Sequence, residues 1–306
     1  ADGDVTTEAD AVLWSGDPGA AAGSAVAVGD ADGDGVADVL AGGPDGGAAW
    51  LWTGPLAGSL DDGSAALVVS EASSDAGAAT ALCDLDGDGL ADVIVGVPGY
   101  DYRSTDNGIA GWVYAPGPGG TLAIGDLDGW VYGTYRGSLG GTALACAGDV
   151  DGDGLDDVLA GAPGATGGAS GSGVAYLVAA PPTGASTMAA TTYWQGGVRY
   201  DEAGAEVAAA GDVDGDGRQD VWVGAPGYDG EAGAAWLFLG SATGALVEDD
   251  ARTVVRGDVA GGRLGEALAA GDLDGDGADD ALVGAPGDTS GGVDAGAVWL
   301  FDSEAL

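Results

Sequence analysis

The chain contains no histidine and no lysine, and its entire positive charge is seven arginines set against 50 acidic residues, a net charge of −43. Binding to DNA or RNA needs Lys and Arg to displace counterions from phosphates, so nucleic acid is excluded as a partner. An anionic membrane surface is excluded on the same ground. Without histidine there is no Ser-His-Asp or Cys-His catalytic pair and no His-ligated zinc or iron. Two cysteines cannot build a thiolate metal cage. No apolar run reaches the roughly 18 residues that a spanning helix requires, so no direct membrane insertion is expected. The N-terminal ADGDVTTEAD has no basic stretch followed by an apolar one, so a secretion signal is expected to have been removed already.

What is abundant is glycine, 64 residues, within a chain that is 46% apolar. That is too apolar for a disordered acidic tail. The 306 residues suffice for a sizeable core, and 1–306 reads as a single domain.

The string D-x-D-G-D-G-x-x-D occurs five times, at Asp30–Asp38, Asp84–Asp92, Asp149–Asp157, Asp212–Asp220 and Asp272–Asp280. After each comes an apolar run ending in a Gly-x-Pro turn: DVLAGGP, DVIVGVP, DVLAGAP, DVWVGAP and DALVGAP. A Gly-rich stretch and a short aromatic run follow, then a fourth apolar segment (ALVVS, GWVYG, TTYWQ, RTVVR) before the next loop. Runs of four to seven residues between Gly, Pro and Asp read as strands, and the glycine content opposes helices. Four strands per unit, named A to D from the inside out, predict an all-β fold: a β-propeller of four-stranded antiparallel blades. Only four units carry a D segment after strand C. AVLWS (11–15) is a spare one at the N-terminus, so five blades closed by the N-terminal strand are expected, with Trp14 packed beside Leu268, Leu282 and Trp299. The aromatics Trp50, Trp112, Tyr176, Trp236 and Trp299 are read as one recurring strand position that packs blade on blade.

Each loop places carboxylates at positions 1, 3, 5 and 9 and a carbonyl at position 7. The sets are Asp30, Asp32, Asp34, Val36 and Asp38; Asp84, Asp86, Asp88, Leu90 and Asp92; Asp149, Asp151, Asp153, Leu155 and Asp157; Asp212, Asp214, Asp216, Arg218 and Asp220; and Asp272, Asp274, Asp276, Ala278 and Asp280. Alternating carboxylates on a tight turn converge, and four of them at one point repel unless a cation sits between. Six or seven hard oxygen ligands at about 2.3–2.6 Å suit Ca²⁺, so five calcium sites are expected. An EF-hand shares the opening but needs Glu at position 12. Here that position is Ala41, Val95, Ala160, Val223 and Val283, all apolar and in strand B. The DLDG at 126–129 lacks the later carboxylates and reads as a plain turn. Five divalent ions would bring −43 to about −33; the remaining excess fits a solvated surface in saline surroundings.

A strand, this loop, a second strand and G-A-P resemble the FG-GAP repeat of integrin α-subunit propellers and related bacterial proteins. G-A-P is literal at Gly161–Pro163, Gly224–Pro226 and Gly284–Pro286; it is GGP at Gly42–Pro44 and GVP at Gly96–Pro98. The FG half reads Ala22-Gly23, Ala76-Gly77, Gly140-Gly141, Ala203-Gly204 and Leu264-Gly265. The resemblance implies a propeller with calcium in the A–B hairpins on one face.

The opposite face collects the B–C and D–A loops, with Arg103, Arg136, Arg199 and Arg263 beside Tyr100, Tyr102, Tyr135, Tyr200 and Tyr228. Two readings stand. Either each arginine neutralises a neighbour such as Asp101, Asp201 or Asp229, or Arg and Tyr (Tyr100, Tyr102, Arg103, Arg136, Arg199, Tyr200, Tyr228, Arg263) line a surface for a glycan or an acidic segment of a protein. The leading expectation is a non-catalytic extracellular module for adhesion, surface assembly or filament building, with a protein or glycan partner at the cell surface, or self-assembly. The alternative is a lectin or a carbohydrate-active enzyme of lyase or glycosidase type using carboxylates such as Asp101, Asp201, Glu202, Asp229 and Glu231, though no spacing singles out a pair. Cys83 and Cys146 lie on inner strands of adjacent blades. A disulfide and two buried thiols are equally compatible with that placement.

Overall fold

The computed structural model describes residues 10–306 apart from 73, 103, 104, 115, 117–119, 134, 180–182, 189–191 and 294. Its described elements are almost all strand. In chain order, β1 (Ala11–Trp14) precedes a first unit of β2 (Ala25–Gly29), β3 (Asp38–Gly43), β4 (Ala48–Trp52), β5 (Gly58–Asp61) and β6 (Leu67–Ser70). The second has β7 (Thr80–Cys83), β8 (Asp92–Val97), β9 (Ile109–Val113), β10 (Thr121–Leu122) and β11 (Gly129–Tyr132). The third has β12 (Leu144–Gly148), β13 (Asp157–Ala162), β14 (Val174–Val178), β15 (Gly184–Thr187) and β16 (Tyr193–Gln195). The fourth has β17 (Glu206–Gly211), β18 (Asp220–Ala225), β19 (Ala234–Phe238), β20 (Ala245–Leu246) and β21 (Thr253–Arg256); the last has β22 (Ala267–Gly271), β23 (Asp280–Ala285) and β24 (Ala297–Phe301).

Within each of the first four units the A, B, C and D strands pair antiparallel in sequence order, as in β2-β3-β4-β6 or β17-β18-β19-β21. The B strands are buried on both faces, which explains why they read as unbroken apolar runs rather than alternating ones. The inner strands stack in a row, β2 on β7, β7 on β12, β12 on β17 and β17 on β22. They are rich in Ala and Gly, because neighbouring inner strands approach closely.

The closeness has a specific cause. A Cβ on Gly42 would collide with the carbonyl oxygen of Gly77 on the next sheet. Gly96 meets Gly141, Gly161 meets Gly204 and Gly224 meets Gly265 in the same way. The glycine of each G-x-P turn therefore abuts the glycine of the next unit's x-G pair. Each of those second glycines also donates its N–H to the G-x-P glycine of its own sheet, as Gly77 does to the carbonyl of Gly96 at 3.0 Å.

The expected architecture of antiparallel propeller-type sheets holds, with two corrections. First, Ala11–Trp14 is not the fourth strand of the last sheet. β1 pairs in parallel with β5, Leu13 opposite Leu60, and the last sheet has three strands. Leu13 packs with Trp50, Trp52 and Leu60, and this contact sets its position. Trp14 is 45% exposed and Trp299 43%, so neither is packed as expected. Second, each C–D connection contributes an extra short strand that runs parallel to the D strand of the sheet before it: β10 beside β6, β15 beside β11, β20 beside β16. By that pattern β1 occupies the place of a D strand belonging to a sheet ahead of the first.

The C-strand aromatics also need one correction. Trp50, Tyr176, Trp236 and Trp299 share a register, opposite Ala41, Ala160, Val223 and Val283. Trp112 sits one residue on, opposite Ile94, and so faces the other side of its sheet. There it joins Tyr176 in the cluster between the second and third sheets.

Candidate metal centres

Each acidic loop connects an A strand to a B strand and is shaped by two left-handed glycines, not one. In the first loop Gly33 has φ 78° and Gly35 φ 82°, and the same pair recurs in every loop. The fold exposes the N–H groups of these turns to the loop's own carboxylates. Asp30 accepts from Gly33 and Gly35 through its two oxygens, at 2.8 and 2.9 Å. Asp32 accepts from Asp34, and Asp34 accepts from Val36. The other four loops repeat this network, down to Asp272 with Gly275 and Gly277 in the last.

The ninth-position aspartates Asp38, Asp92, Asp157, Asp220 and Asp280 are buried. Their second oxygen accepts the N–H of the residue after the first aspartate: Ala31, Leu85, Val150, Val213 and Leu273. The structure thus brings three of the expected positions together. Ligand oxygens of Asp30, Asp32 and Asp38 lie within 4.8 Å of one another, and so do those of Asp84, Asp86 and Asp92, of Asp149, Asp151 and Asp157, and of Asp212, Asp214 and Asp220. The fifth-position residues Asp34, Asp88, Asp153, Asp216 and Asp276 stand at the turn's outer edge, each accepting the N–H of the seventh residue.

Crowding and burial act on these carboxylates. Burial pushes Asp157 up to about 7; the N–H groups of Val150 and Asp151 oppose that shift and the charges of Asp151 and Asp153 add to it. Burial raises Asp220 to about 6, opposed by the Gly240 and Val213 N–H groups and reinforced by Asp214 and Asp212. A carboxylate has about four lone-pair sites, so the backbone bonds these groups accept, two or three each, leave room for a cation. The donor set is all oxygen, which suits a hard divalent ion.

Neighbouring loops are joined. The carbonyl of Asp30 accepts the N–H of Ala91, that of Asp84 the N–H of Asp156, and that of Asp149 the N–H of Gln219. Arg218, at the seventh position of its loop, reaches back and donates to the carbonyl of Asp151. The second and third units are also linked covalently: Cys83 and Cys146 form a disulfide with their Cα atoms 5.5 Å apart. The Asp156 carboxylate lies 3.8 and 3.5 Å from the two sulfurs, and because those sulfurs are bonded to each other this group is a bridge and not a thiolate metal site. The DLDG turn behaves as a turn, with Asp128 accepting the N–H of Tyr114.

On the opposite rim the expected residues do not form one surface. Arg103 lies outside the described residues. Tyr102 is packed against Tyr132, ring centroids 4.7 Å apart, and edge-on to Trp130; Tyr100 joins the same core. Tyr228 packs edge-on to Trp236, with its hydroxyl beside Glu248, which also pairs with Arg256. Arg263 is ion-paired with Glu266 and Glu202, not with the aspartates named from sequence. Asp201 is buried and accepts the N–H of Val198; Asp101 accepts that of Asp106. Arg136 and Tyr135 are exposed. Arg199 lies over the ring of Tyr200, 4.5 Å from its centroid. Tyr200, with Leu139, Pro163 and Ser170, borders a shallow groove of about 440 Å³.

Comparison with known proteins bears on this geometry. The FG-GAP repeat matches residues 76–114, 141–178, 203–238 and 264–301. Integrin alpha pat-2 of Caenorhabditis briggsae is 33% identical over 230 residues, covering 68% of this chain and 18% of the relative. Human integrin alpha-X is 38% identical over 162 residues, 51% of this chain and 14% of the relative. The chain thus spans less than a fifth of the length of these relatives. Among solved structures, the V. cholerae biofilm matrix protein Bap1 aligns with 92% of this chain and 37% of its own, at 17% identity and a TM-score of 0.47.

Proposed function

Because this chain carries four FG-GAP repeats and resembles integrin α subunits through them, we propose that it is a non-catalytic, calcium-binding module of the cell surface or extracellular space, acting in adhesion or surface assembly. The observation that carries the reading is the convergence, in four successive loops, of the first, third and ninth carboxylates within 4.8 Å. Such groups repel one another without a cation. Asp30, Asp32 and Asp38 and their counterparts would hold the ion, and the ion would supply charge neutralisation and stiffening of the A–B hairpins, not chemistry. The loop ladder and the disulfide support a scaffold role, because they fix adjacent sheets to one another. Among the described elements no helix is long and apolar enough to cross a membrane. Arg199 stacked on exposed Tyr200 is the part of the far rim best placed to meet a partner.

Calorimetry tests the calcium reading. The melting temperature is expected to fall steeply in EDTA, to recover with millimolar Ca²⁺ and to recover poorly with Mg²⁺, since ion binding contributes directly to folding. A melt that ignores EDTA sinks the proposal.

A further inference from the structure

The acidic loops share one backbone plan, but the charge that each receives from the loop after it differs. The seventh and eighth residues of the later loop make the contact. Leu90 reaches back over Gly33 of the first loop, and Leu155 over Gly87 of the second. In the third loop the same place, over Gly152, is taken by the guanidinium of Arg218, which also donates to the Asp151 carbonyl. Gly152 follows Asp151, the third-position carboxylate. Gly215, at that place in the fourth loop, has nothing within 4 Å of where its Cβ would be.

The eighth residues add to the contrast. Ala91 and Gln219 are neutral, and their N–H groups bond the carbonyls of Asp30 and Asp149. Asp156 brings a carboxylate to the second loop, where it accepts the N–H of Asp84 at 3.3 Å. The carboxylate of Asp279 lies against Gly211, the residue before Asp212. Leu90 with Ala91 thus adds no charge to the first loop. Leu155 with Asp156 adds a negative charge to the second, Arg218 with Gln219 a positive one to the third, and Ala278 with Asp279 a negative one to the fourth.

The third loop differs in a second respect. Oδ1 of its ninth carboxylate, Asp157, is buried and accepts no hydrogen bond among the described residues. Asp38, Asp220 and Asp280 use that oxygen to hold the N–H groups of Gly54, Gly240 and Ser303. A buried carboxylate oxygen without a donor, in a group whose other members are Asp149 and Asp151, is a place for a cation. Arg218 does not fill it. Among the described residues Arg218 forms no ion pair with a carboxylate, so it acts on the loop by its charge from outside.

We propose that the seventh and eighth residues of each loop set the cation affinity of the loop before it, and that Arg218 makes the third site weaker than the second and fourth. The inference rests on the calcium reading of the loops. A unit positive charge and a divalent ion about 8 Å apart in water repel enough to lower affinity roughly fivefold. A carboxylate at the same distance raises it by a similar factor, which is the part of Asp156 and Asp279. Arg218→Leu keeps over Gly152 the kind of packing that Leu90 and Leu155 give to Gly33 and Gly87, so it removes the charge without opening a gap.

Calorimetric titration of the full chain with Ca²⁺ tests the proposal, and melting in EDTA checks that each variant folds. At low salt Arg218→Leu is expected to tighten one binding step about fivefold and to leave the others as they are. The gain is expected to shrink at high salt, where screening grows. Arg218→Lys keeps the charge and is expected to titrate like the parent. In an Asp151→Asn background, which disables the third loop, Arg218→Leu is expected to change nothing. Asp279→Asn is expected to loosen one step by a comparable factor. The proposal is overturned if Arg218→Leu leaves the titration unchanged, if Arg218→Lys tightens it as much, if the effect survives Asp151→Asn, or if Asp279→Asn has none. A parent chain that takes up no calcium overturns the calcium reading itself, and this inference with it.

Discussion

Asp220 Oδ1 accepts the backbone N–H of Gly240 at 2.7 Å, across 20 residues of sequence, while its other oxygen holds the N–H of Val213. Asp38 does the same with Gly54 and Ala31, and Asp280 with Ser303 and Leu273. The ninth carboxylate is therefore a tie between the acidic loop and the exit of strand C, apart from any ion. Asp220→Ala leaves two N–H groups without their acceptor and is expected to cost about 2–4 kcal/mol, even in EDTA. Asp214→Ala, on the exposed side of the same loop, is expected to matter little in EDTA and much in calcium. Urea denaturation in both buffers separates the two roles.

The glycine junctions predict a sharp contrast between two conservative changes. Gly161→Ala drives a methyl group into the backbone of Gly204. Separating the third and fourth sheets to make room is expected to cost 3 kcal/mol or more, on the order of a severe core substitution. At Gly271 nothing lies within 4 Å of the new methyl, so Gly271→Ala is expected to stay within about 0.5 kcal/mol of the parent. Thermal melts of the two variants would refute the junction if they coincided.

Reducing the Cys83–Cys146 bridge opens a loop of 63 residues. Chain entropy alone puts the loss at about 4 kcal/mol. The replacement Cys83→Ala with Cys146→Ala is expected to lower the urea midpoint by the corresponding amount. Reductant is expected to destabilise the parent and to leave the variant unchanged; a reductant effect that persists in the variant would point to another cause.

Glu206 is half-buried at the start of β17, and burial pushes its carboxyl up to about 7. A carboxyl raised in the folded state binds its proton there at pH values where the unfolded chain has lost it. Stability is then full below about 4.5 and declines as pH rises to about 7, by an amount on the order of 2–3 kcal/mol. Glu206→Gln is expected to flatten that decline and to stabilise the chain at neutral pH. Denaturation midpoints measured between pH 4 and 8 in EDTA check the sign.

Much of the architecture was legible because the repeat is written in residue types that tolerate few substitutes. Asp and Gly at fixed offsets mark the loops, and the B strands are unbroken apolar runs because both their faces are covered. The strands β5, β10, β15 and β20 were not legible. They are two to four residues long, carry no alternation, and exist only because a D strand from the previous unit offers its edge. Trp112 was misplaced by one residue because the aromatic alone does not fix register; the residue opposite it does. The arginines of the far rim were read with sequence neighbours, whereas Arg263 finds Glu202 from 61 residues away. The role of the paired glycines was hidden in the motif itself, since the two halves belong to different sheets.

The backbone ladder between acidic loops ties each loop mechanically to the next. Asp30 turns its side chain to its own loop and its carbonyl to Ala91 in the next, and Asp84 and Asp149 repeat the gesture. The first aspartate of one loop is thereby tied to the eighth residue of the following loop, beside its buried ninth carboxylate. Under the calcium reading, each loop's occupancy would be felt by the loops beside it, equally in both directions along the row.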